Sequence, residues 1–269
     1  MNHIPPLSKT HERNLAKLTQ KKFRQEEGLF IAEGKNALEE ALTVSSRYPL
    51  REVILNKTYT DMYRRGDPDI IALPDNIPVF EASDVQIHRL STEKTPQGII
   101  IVCQLACFDP AILFDRQPRA MIYLDHVTDP GNLGMIIRTA RWFGLAQVLL
   151  SPDCVDPWNQ KVIRSSAGTL FTCELYQDID TETLFRLAAC GGYETIATVP
   201  DDGERLQREK STAPLIIIFG NEARGVSSEI LEKASRRLSI PGSRDVESLN
   251  LGAAAAIVLY EIMGRSVQM

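Results

Sequence analysis

Three glycine-framed segments hold the residue types that could do chemistry. In DPGNLGMIIRTARWFG, Asn132 lies between Gly131 and Gly134, and Arg138 follows six residues later. In FGNEARGVSSEI, Glu222 sits between Gly220 and Gly225. In IPGSRDVESLNLGAAAAIVLYE, Ser248 and Asn250 precede four consecutive alanines, Ala253 to Ala256. Glycines let another molecule approach the backbone closely. A guanidinium beside such a loop can stabilise developing negative charge but is a poor proton acceptor, because it holds its own proton so firmly. Each residue taken alone also has a plainer role. Asn132, Ser248 or Asn250 could cap a helix, Arg138 could be an exposed cation, and Glu222 could cap the helix after it, although Ser227 or Ser228 suits that better.

Other chemistries find no matching pattern. Neither GxGxxG nor GxxxxGK[ST] occurs, so a phosphate cradle is not indicated. His3, His11, His88 and His126 are scattered without metal-ligand spacing, and Asp125-His126 has no GxSxG elbow to complete a hydrolase triad. The five cysteines are odd in number and lack CxxC spacing, which speaks against both a disulfide scaffold and a zinc site.

The elements that must position the three loops alternate. AMIYLDHV, AQVLLSP, ETIATVP, PLIIIFG and RRLSIP have the apolar runs of buried strands. GMIIRTARWFG, KVIRSSAGTL, LFRLAACGGY and LNLGAAAAIVLYEIMGR have helical patterns between or after them. This α/β alternation predicts a mostly parallel sheet covered on both faces, with ligands beyond the carboxyl ends of its strands. Before it, residues 1–107 form a smaller α/β unit. It has a helix over 8–25, strands at EGLFIAEG, EVILN, IIAL, IPVFE and GIIIVCQL, and helices at KNALEEALTVSS and at SDVQIHRLST, the last with Ser83 as N-cap. FDPAILFDRQPR, with two prolines, reads as a linker over 108–118, leaving 119–269 as the second domain.

The three loops in this order, LDHVTDPGNLGMIIRTARWFG, IIIFGNEARGVSSEI and LSIPGSRDVESLNLGAAAAIVLYE, resemble the SpoU-type (TrmH-like) branch of the SPOUT RNA methyltransferases. The resemblance covers about Ala120 to Gly264. LSKTHERNLAKL, RQEEGLFIAEGKNALEEAL and EKTPQGIIIV are similar to that family's L30e-like RNA substrate-binding domain. What the resemblance implies is an α/β sheet with a deep trefoil knot, and a homodimer with active sites at the subunit interface. It further implies transfer of a methyl group from S-adenosylmethionine to a ribose 2′-hydroxyl. The cofactor would lie against Thr198, Val199, Gly220, Asn221, Gly225, Ile240 and Leu249. Arg138 matches the residue thought to activate the hydroxyl, with Asn132, Glu222, Ser248 and Asn250 as its polar support. Ribosomal RNA is the first choice of substrate. The alternatives are a transfer RNA 2′-O-methyltransferase and a non-catalytic RNA-binding protein on the same fold, which would be expected to lack Arg138, Asn132 or Glu222.

Composition is compatible with this. With 43% hydrophobic and 24% charged residues the chain is an ordinary globular protein. No stretch approaches the roughly 18 uncharged apolar residues of a membrane span, and the N-terminus lacks a signal-peptide pattern, so a cytoplasmic location is expected. The net charge of −5 hides a basic front. Lys9, Arg13, Lys17, Lys21, Lys22 and Arg24 face the single acid Glu12 within residues 1–25, a set suited to RNA phosphates or else a solvated helix face.

Overall fold

The computed structural model describes residues 4–44, 47–207, 212–243 and 248–264. The basic N-terminal stretch, expected as one helix, forms two: α1 (Lys9–Lys17) and α2 (Lys21–Glu27). Ser8 caps α1 through the His11 N–H, and Gln20 takes an extended conformation that breaks the run. The break exposes a helix-end carbonyl, Leu18 O, and the Arg24 guanidinium turns inward to donate to it at 2.7 Å. Arg24 is consequently only 3% exposed. Its expected role in contacting RNA is therefore corrected: its charge is spent inside the fold.

The chain divides into two compact units. The first, Met1–Ala106 with Trp158–Thr172, adds β1 (Leu29–Glu33), α3 (Lys35–Thr43), β2 (Leu50–Asn56), α4 (Lys57–Arg65), β3 (Val79–Ala82), α5 (Asp84–Leu90) and β4 (Ile99–Gln104). Its sheet has the order β1-β4-β2-β3, with β4 antiparallel to both neighbours and β2 parallel to β3 across the α4 crossover. Alternation sends Ile31, Ile54, Ile100 and Val102 to one face, where Leu15 and Leu18 join Ile87 and Leu90 of α5. Ser83 caps α5 in a capping box with Gln86, as its sequence predicts. The expected strand at IIAL is absent: residues 70–73 run between turns closed by Ile70 N–H on Asp67 O and by Ile77 N–H on Pro74 O.

The second unit, Cys107–Pro157 with Cys173–Met269, contains α6 (Ile112–Arg116), β5 (Ala120–Leu124), α7 (Pro130–Trp142) and β6 (Gln147–Leu150). After α8 (Gln160–Ser165), which belongs to the first unit, come β7 (Glu174–Tyr176), α9 (Thr181–Gly191), β8 (Glu194–Thr198) and β9 (Glu204–Arg205). The chain closes with β10 (Leu215–Phe219), α10 (Ser228–Lys233), β11 (Arg236–Ser239) and α11 (Leu251–Leu259). Every pairing in its seven-stranded sheet is parallel, in the order β7-β6-β5-β10-β8-β11-β9. β5 and β10 at its centre are buried at every residue, which is why they are apolar without alternation.

Two features depart from a division at one linker. Residues 108–118 are not a free tether: Leu113 of α6 is 1% exposed and, with Phe108, packs into the core of the second unit. The segment after β6 contributes to the first unit, where Trp158 and Phe171 stack on Phe30 with ring centroids 4.7 and 5.8 Å apart and meet Tyr48 at 5.1 and 6.0 Å.

Candidate active site

The parallel ladder brings the three loops to one edge. The register pairs Phe219 with Leu124, and the Asp125 N–H continues the ladder by donating to Phe219 O at 2.8 Å. The loop after β5 and the loop after β10 therefore start side by side. Asp125, 2% exposed, joins them again, accepting from the Ser227 N–H at 2.7 Å and bonding His126 Nδ1 at 2.6 Å. The His126 carbonyl in turn accepts from Asn221 Nδ2 at 2.7 Å.

Within this frame the loop after β10 closes on itself. Asn221 and Gly225 exchange two backbone bonds of 2.9 Å, Gly225 has φ +70°, and Asn221 Oδ1 accepts from the N–H groups of Ala223 and Arg224. A Cβ on Gly220 would lie 2.1 Å from the backbone of Gly225 and Val226. The glycine at 220 is thus required by its own loop, which refines the expectation that it leaves room for a ligand.

The closed loop presents Glu222. Its carboxylate accepts from the Asp129 N–H at 3.1 Å, from the Thr128 N–H and hydroxyl at 3.4 and 3.3 Å, and from Asn132 Nδ2 at 3.1 Å. Burial works to raise its pKa, but these bonds, with one from its own backbone, outweigh it and hold the carboxyl below its ordinary value. Glu222 does not cap α10. Asn132 does not cap α7 either: Asp129 does, accepting from the Asn132 N–H at 2.8 Å, with Pro130 at the first helical position. The Asn132 side chain is left free to bridge, and its Oδ1 accepts from Asn250 Nδ2 at 3.0 Å. Asn250 does both things open to it, since its own Oδ1 caps α11 through the Ala253 N–H. Glu222, Asn132 and Asn250 form one hydrogen-bonded chain through all three loops.

The remaining expected residues lie around this chain. Thr198 ends β8 with its hydroxyl on Ile218 O at 2.9 Å, and the Val199 N–H donates to Leu238 O at 2.9 Å. Val199 and Ile240 are half-buried, while Leu249 is exposed despite being apolar. Ser248 is exposed and joins no hydrogen bond among the described residues. Arg138 is exposed on α7 and likewise has no partner among the described residues. It shares a helix stripe with Met135 and Trp142, the latter 81% exposed. The exposed Ile257 and Tyr260 lie on α11 and the turn after it, and α11 packs on α7.

The sequence missed Asp125 and Asp129 as frame residues. Their signal was present, since each is a charge directly beside an apolar strand or a proline-started helix. At Cys154 burial pushes the thiol up, and Sγ donates to Leu124 O. No group of three His, Cys, Asp or Glu among the described residues could hold a metal ion. On the first unit, Lys9, Arg13, Lys17, Lys21 and Lys22 are exposed, and Lys17 and Lys22 lie 5.7 and 6.0 Å from the Phe23 ring.

Residues 119–260 match the SpoU rRNA Methylase family. The chain belongs to that family. It is accordingly an RNA methyltransferase, and residues 11–101 match the MRM3-like substrate binding domain. The SpoU assignment agrees with individual relatives. An uncharacterised tRNA/rRNA methyltransferase of Synechocystis is 30% identical over 93% of this chain and 89% of its own. The 23S rRNA (guanosine(2553)-2'-O)-methyltransferase RlmP of Bacillus subtilis is 30% identical over 98% of this chain and 100% of its own. The AdoMet-bound rRNA methyltransferase of Sinorhizobium meliloti shares the fold, with a TM-score of 0.83, 24% identity, and 100% and 99% of the two chains covered.

Proposed function

We propose that this SpoU-family chain transfers the methyl group of S-adenosylmethionine to a ribose 2′-hydroxyl of ribosomal RNA. The observation that carries the reading is the Glu222–Asn132–Asn250 chain, which fixes three loops at the strand ends where ligands of parallel sheets bind. Ribosomal rather than transfer RNA is favoured by the likeness to RlmP and by the substrate-binding domain at the front. Lys9, Arg13, Lys17, Lys21 and Lys22 would meet its phosphates.

The residues at the strand ends fit the cofactor. Half-buried Val199 and Ile240 and the open apolar Leu249 suit a flat, weakly polar base, and Thr198, Gly220, Asn221 and Gly225 build the adjoining backbone. When bound there, S-adenosylmethionine supplies a methyl group on a cationic sulfur. The protein's own residues have to orient and activate the hydroxyl. Glu222 stays ionised and filled with donors, so it positions the Asn132 loop rather than accepting a proton. The Arg138 guanidinium stabilises the developing alkoxide, while the hydroxyl proton passes to solvent water or an adjacent phosphate oxygen of the RNA. Ser248 lies two residues before Asn250, where its hydroxyl can orient the ribose.

Two further expectations have support. β11 lies between β8 and β9, which are consecutive in sequence, and α11 packs on α7, an arrangement compatible with the trefoil knot that the resemblance implies. The exposed Met135, Trp142, Ile257 and Tyr260 form an apolar surface suited to a second copy, which would put Arg138 at a subunit interface. No helix among the described residues is long and apolar enough to cross a membrane. The cytoplasmic location we propose follows from the RNA substrate, as ribosomal RNA is found there.

The test is transfer of radiolabelled methyl from S-adenosylmethionine to deproteinised ribosomal RNA, followed by alkaline hydrolysis. Label in an alkali-resistant dinucleotide is expected, because a methylated 2′-oxygen cannot attack its phosphate. Label on a base, or on transfer RNA alone, would overturn the corresponding part of the reading, and cofactor binding without transfer to any RNA would favour the non-catalytic alternative.

A further inference from the structure

We propose that the RNA lies along a basic band of the first unit running from α1 across α5 to the Ser91–Gln97 loop and α8, with Arg89, Lys94 and Arg164 among its phosphate contacts. This rests on the reading of the chain as an RNA methyltransferase, and it moves the RNA path beyond the N-terminal helices to a segment that follows β6 in sequence.

The band is continuous by contact. α1 joins α5 through Glu12, a buried carboxylate that accepts from Arg89 Nη1 at 2.9 Å and Gln86 Nε2 at 3.0 Å. The Arg89 guanidinium, first, and the Gln86 amide hold the Glu12 carboxyl below its ordinary value, so it remains a fixed anchor. α5 joins α8 where Gln160 Nε2 donates to Leu90 O at 3.0 Å. α8 joins the loop through the Arg164–Glu93 ion pair. The loop itself is pinned from inside: Glu33 accepts from Ser91 Oγ at 2.5 Å and from the Gln97 N–H at 2.6 Å, and Ser91 Oγ accepts from the Glu93 N–H at 2.9 Å.

The charge balance along this path is what points to a polyanion. Along this path Glu12 is engaged by Arg89, Glu93 by Arg164 and Glu33 by neutral loop donors, while the exposed Asp84 at the start of α5 accepts from Asn56 Nδ2. The side chains of Arg89 and Arg164 are 65% and 43% exposed, and each shows its carboxylate one nitrogen of a five-donor fork, leaving the rest for a phosphate. Lys94, exposed between pinned neighbours, has no ion-pair partner among the described residues, nor have Lys9 and Arg13 on α1. Preoriented forks interspersed with unpaired lysines suit a string of phosphates, whose charge attracts at every step.

The test uses the full chain and deproteinised total ribosomal RNA, with affinity measured from 50 to 200 mM salt. Lys94→Gln/Arg164→Gln is compared with wild type and with a charge-matched control on α4, Lys57→Gln/Arg65→Gln. Each lost phosphate contact should reduce the logarithmic salt slope by about 0.7–0.9, so the band variant should lose about 1.4–1.8 and bind ~25–60-fold more weakly near 0.1 M salt. The control should change little, and calorimetric binding of S-adenosylmethionine should be unchanged in both. Lys94→Gln alone, which breaks no contact, should lose half the slope change and guards against misfolding of the double variant. An unchanged slope in the band variants, or an equal loss in the control, would overturn the band. A wild-type chain that binds neither S-adenosylmethionine nor any RNA would instead overturn the methyltransferase reading.

Discussion

Arg138 and Glu222 divide the work of the site by what each lacks. Arg138 has no partner among the described residues, while Glu222 is held by the Asp129 and Thr128 backbone and the Asn132 amide. Arg138→Ala should lower the single-turnover methylation rate by ~100–1,000-fold with small changes in either ligand's affinity, and Arg138→Lys should restore little because it loses the planar fork. A variant that binds RNA poorly yet reacts normally at saturation would make Arg138 a phosphate clamp and not an activating group. Glu222→Gln places an amide where only acceptors fit, so about 1–3 kcal/mol of unsatisfied donors should fall on the site. Its pH dependence follows from the lowered carboxyl. The stabilisation is complete above the unfolded carboxylate value and is lost as pH falls through the lower folded value. Thermal melts of wild type and Glu222→Gln should therefore differ most at neutral pH and converge in acid; a gap that widens in acid would contradict the assigned bonds.

Elements, more than single residues, explain where the expected domain boundary shifts. Trp158 lies beyond β6 in sequence, but its ring completes the cluster of Phe30, Tyr48 and Phe171 in the first unit. Truncating such a side chain typically costs about 3–5 kcal/mol, so Trp158→Ala should unfold the first unit at a distinctly lower temperature. A fragment ending at residue 107 lacks both Trp158 and Phe171 and should show poorly dispersed amide resonances. A fully folded fragment would show that the returning segment is dispensable. α2 teaches the same lesson on a smaller scale. Arg24→Ala would uncover Leu18 O and loosen the α1–α2 corner, a stability effect where its basic neighbours suggested an RNA effect.

For the whole molecule, the proposed second copy covering the apolar residues of α7 and α11 bears on what counts as the functional unit. Met135, Trp142, Ile257 and Tyr260 are large, exposed and on packed helices, and Arg138 shares the α7 stripe of Met135 and Trp142. A second copy there would desolvate Arg138 and strengthen its field. Trp142→Glu/Ile257→Glu should sediment as a monomer and lose methylation while retaining its unfolding temperature at low concentration. A wild-type chain that sediments as a monomer, or an active monomeric variant, would remove the interface from the mechanism.

Read without its structure, the chain already declared its alternating α/β order, its three glycine-framed loops, the cap at Ser83 and the resemblance that named its chemistry. All of these are local: a period, a spacing or a residue type is complete within a few positions of the chain. Tertiary structure alone decided that Glu222 meets Asn132, through the register of β5 on β10, and that Asn132 meets Asn250, through the packing of α11 on α7, partners 90 and 118 residues apart. It likewise decided that Arg24 turns inward, that Gly220 serves its own loop, that β11 enters between β8 and β9, and that Trp158 belongs to a core begun more than a hundred residues earlier. Each of these depends on which surfaces close against each other, and close packing is a property of three-dimensional neighbours that spacing along a chain does not encode.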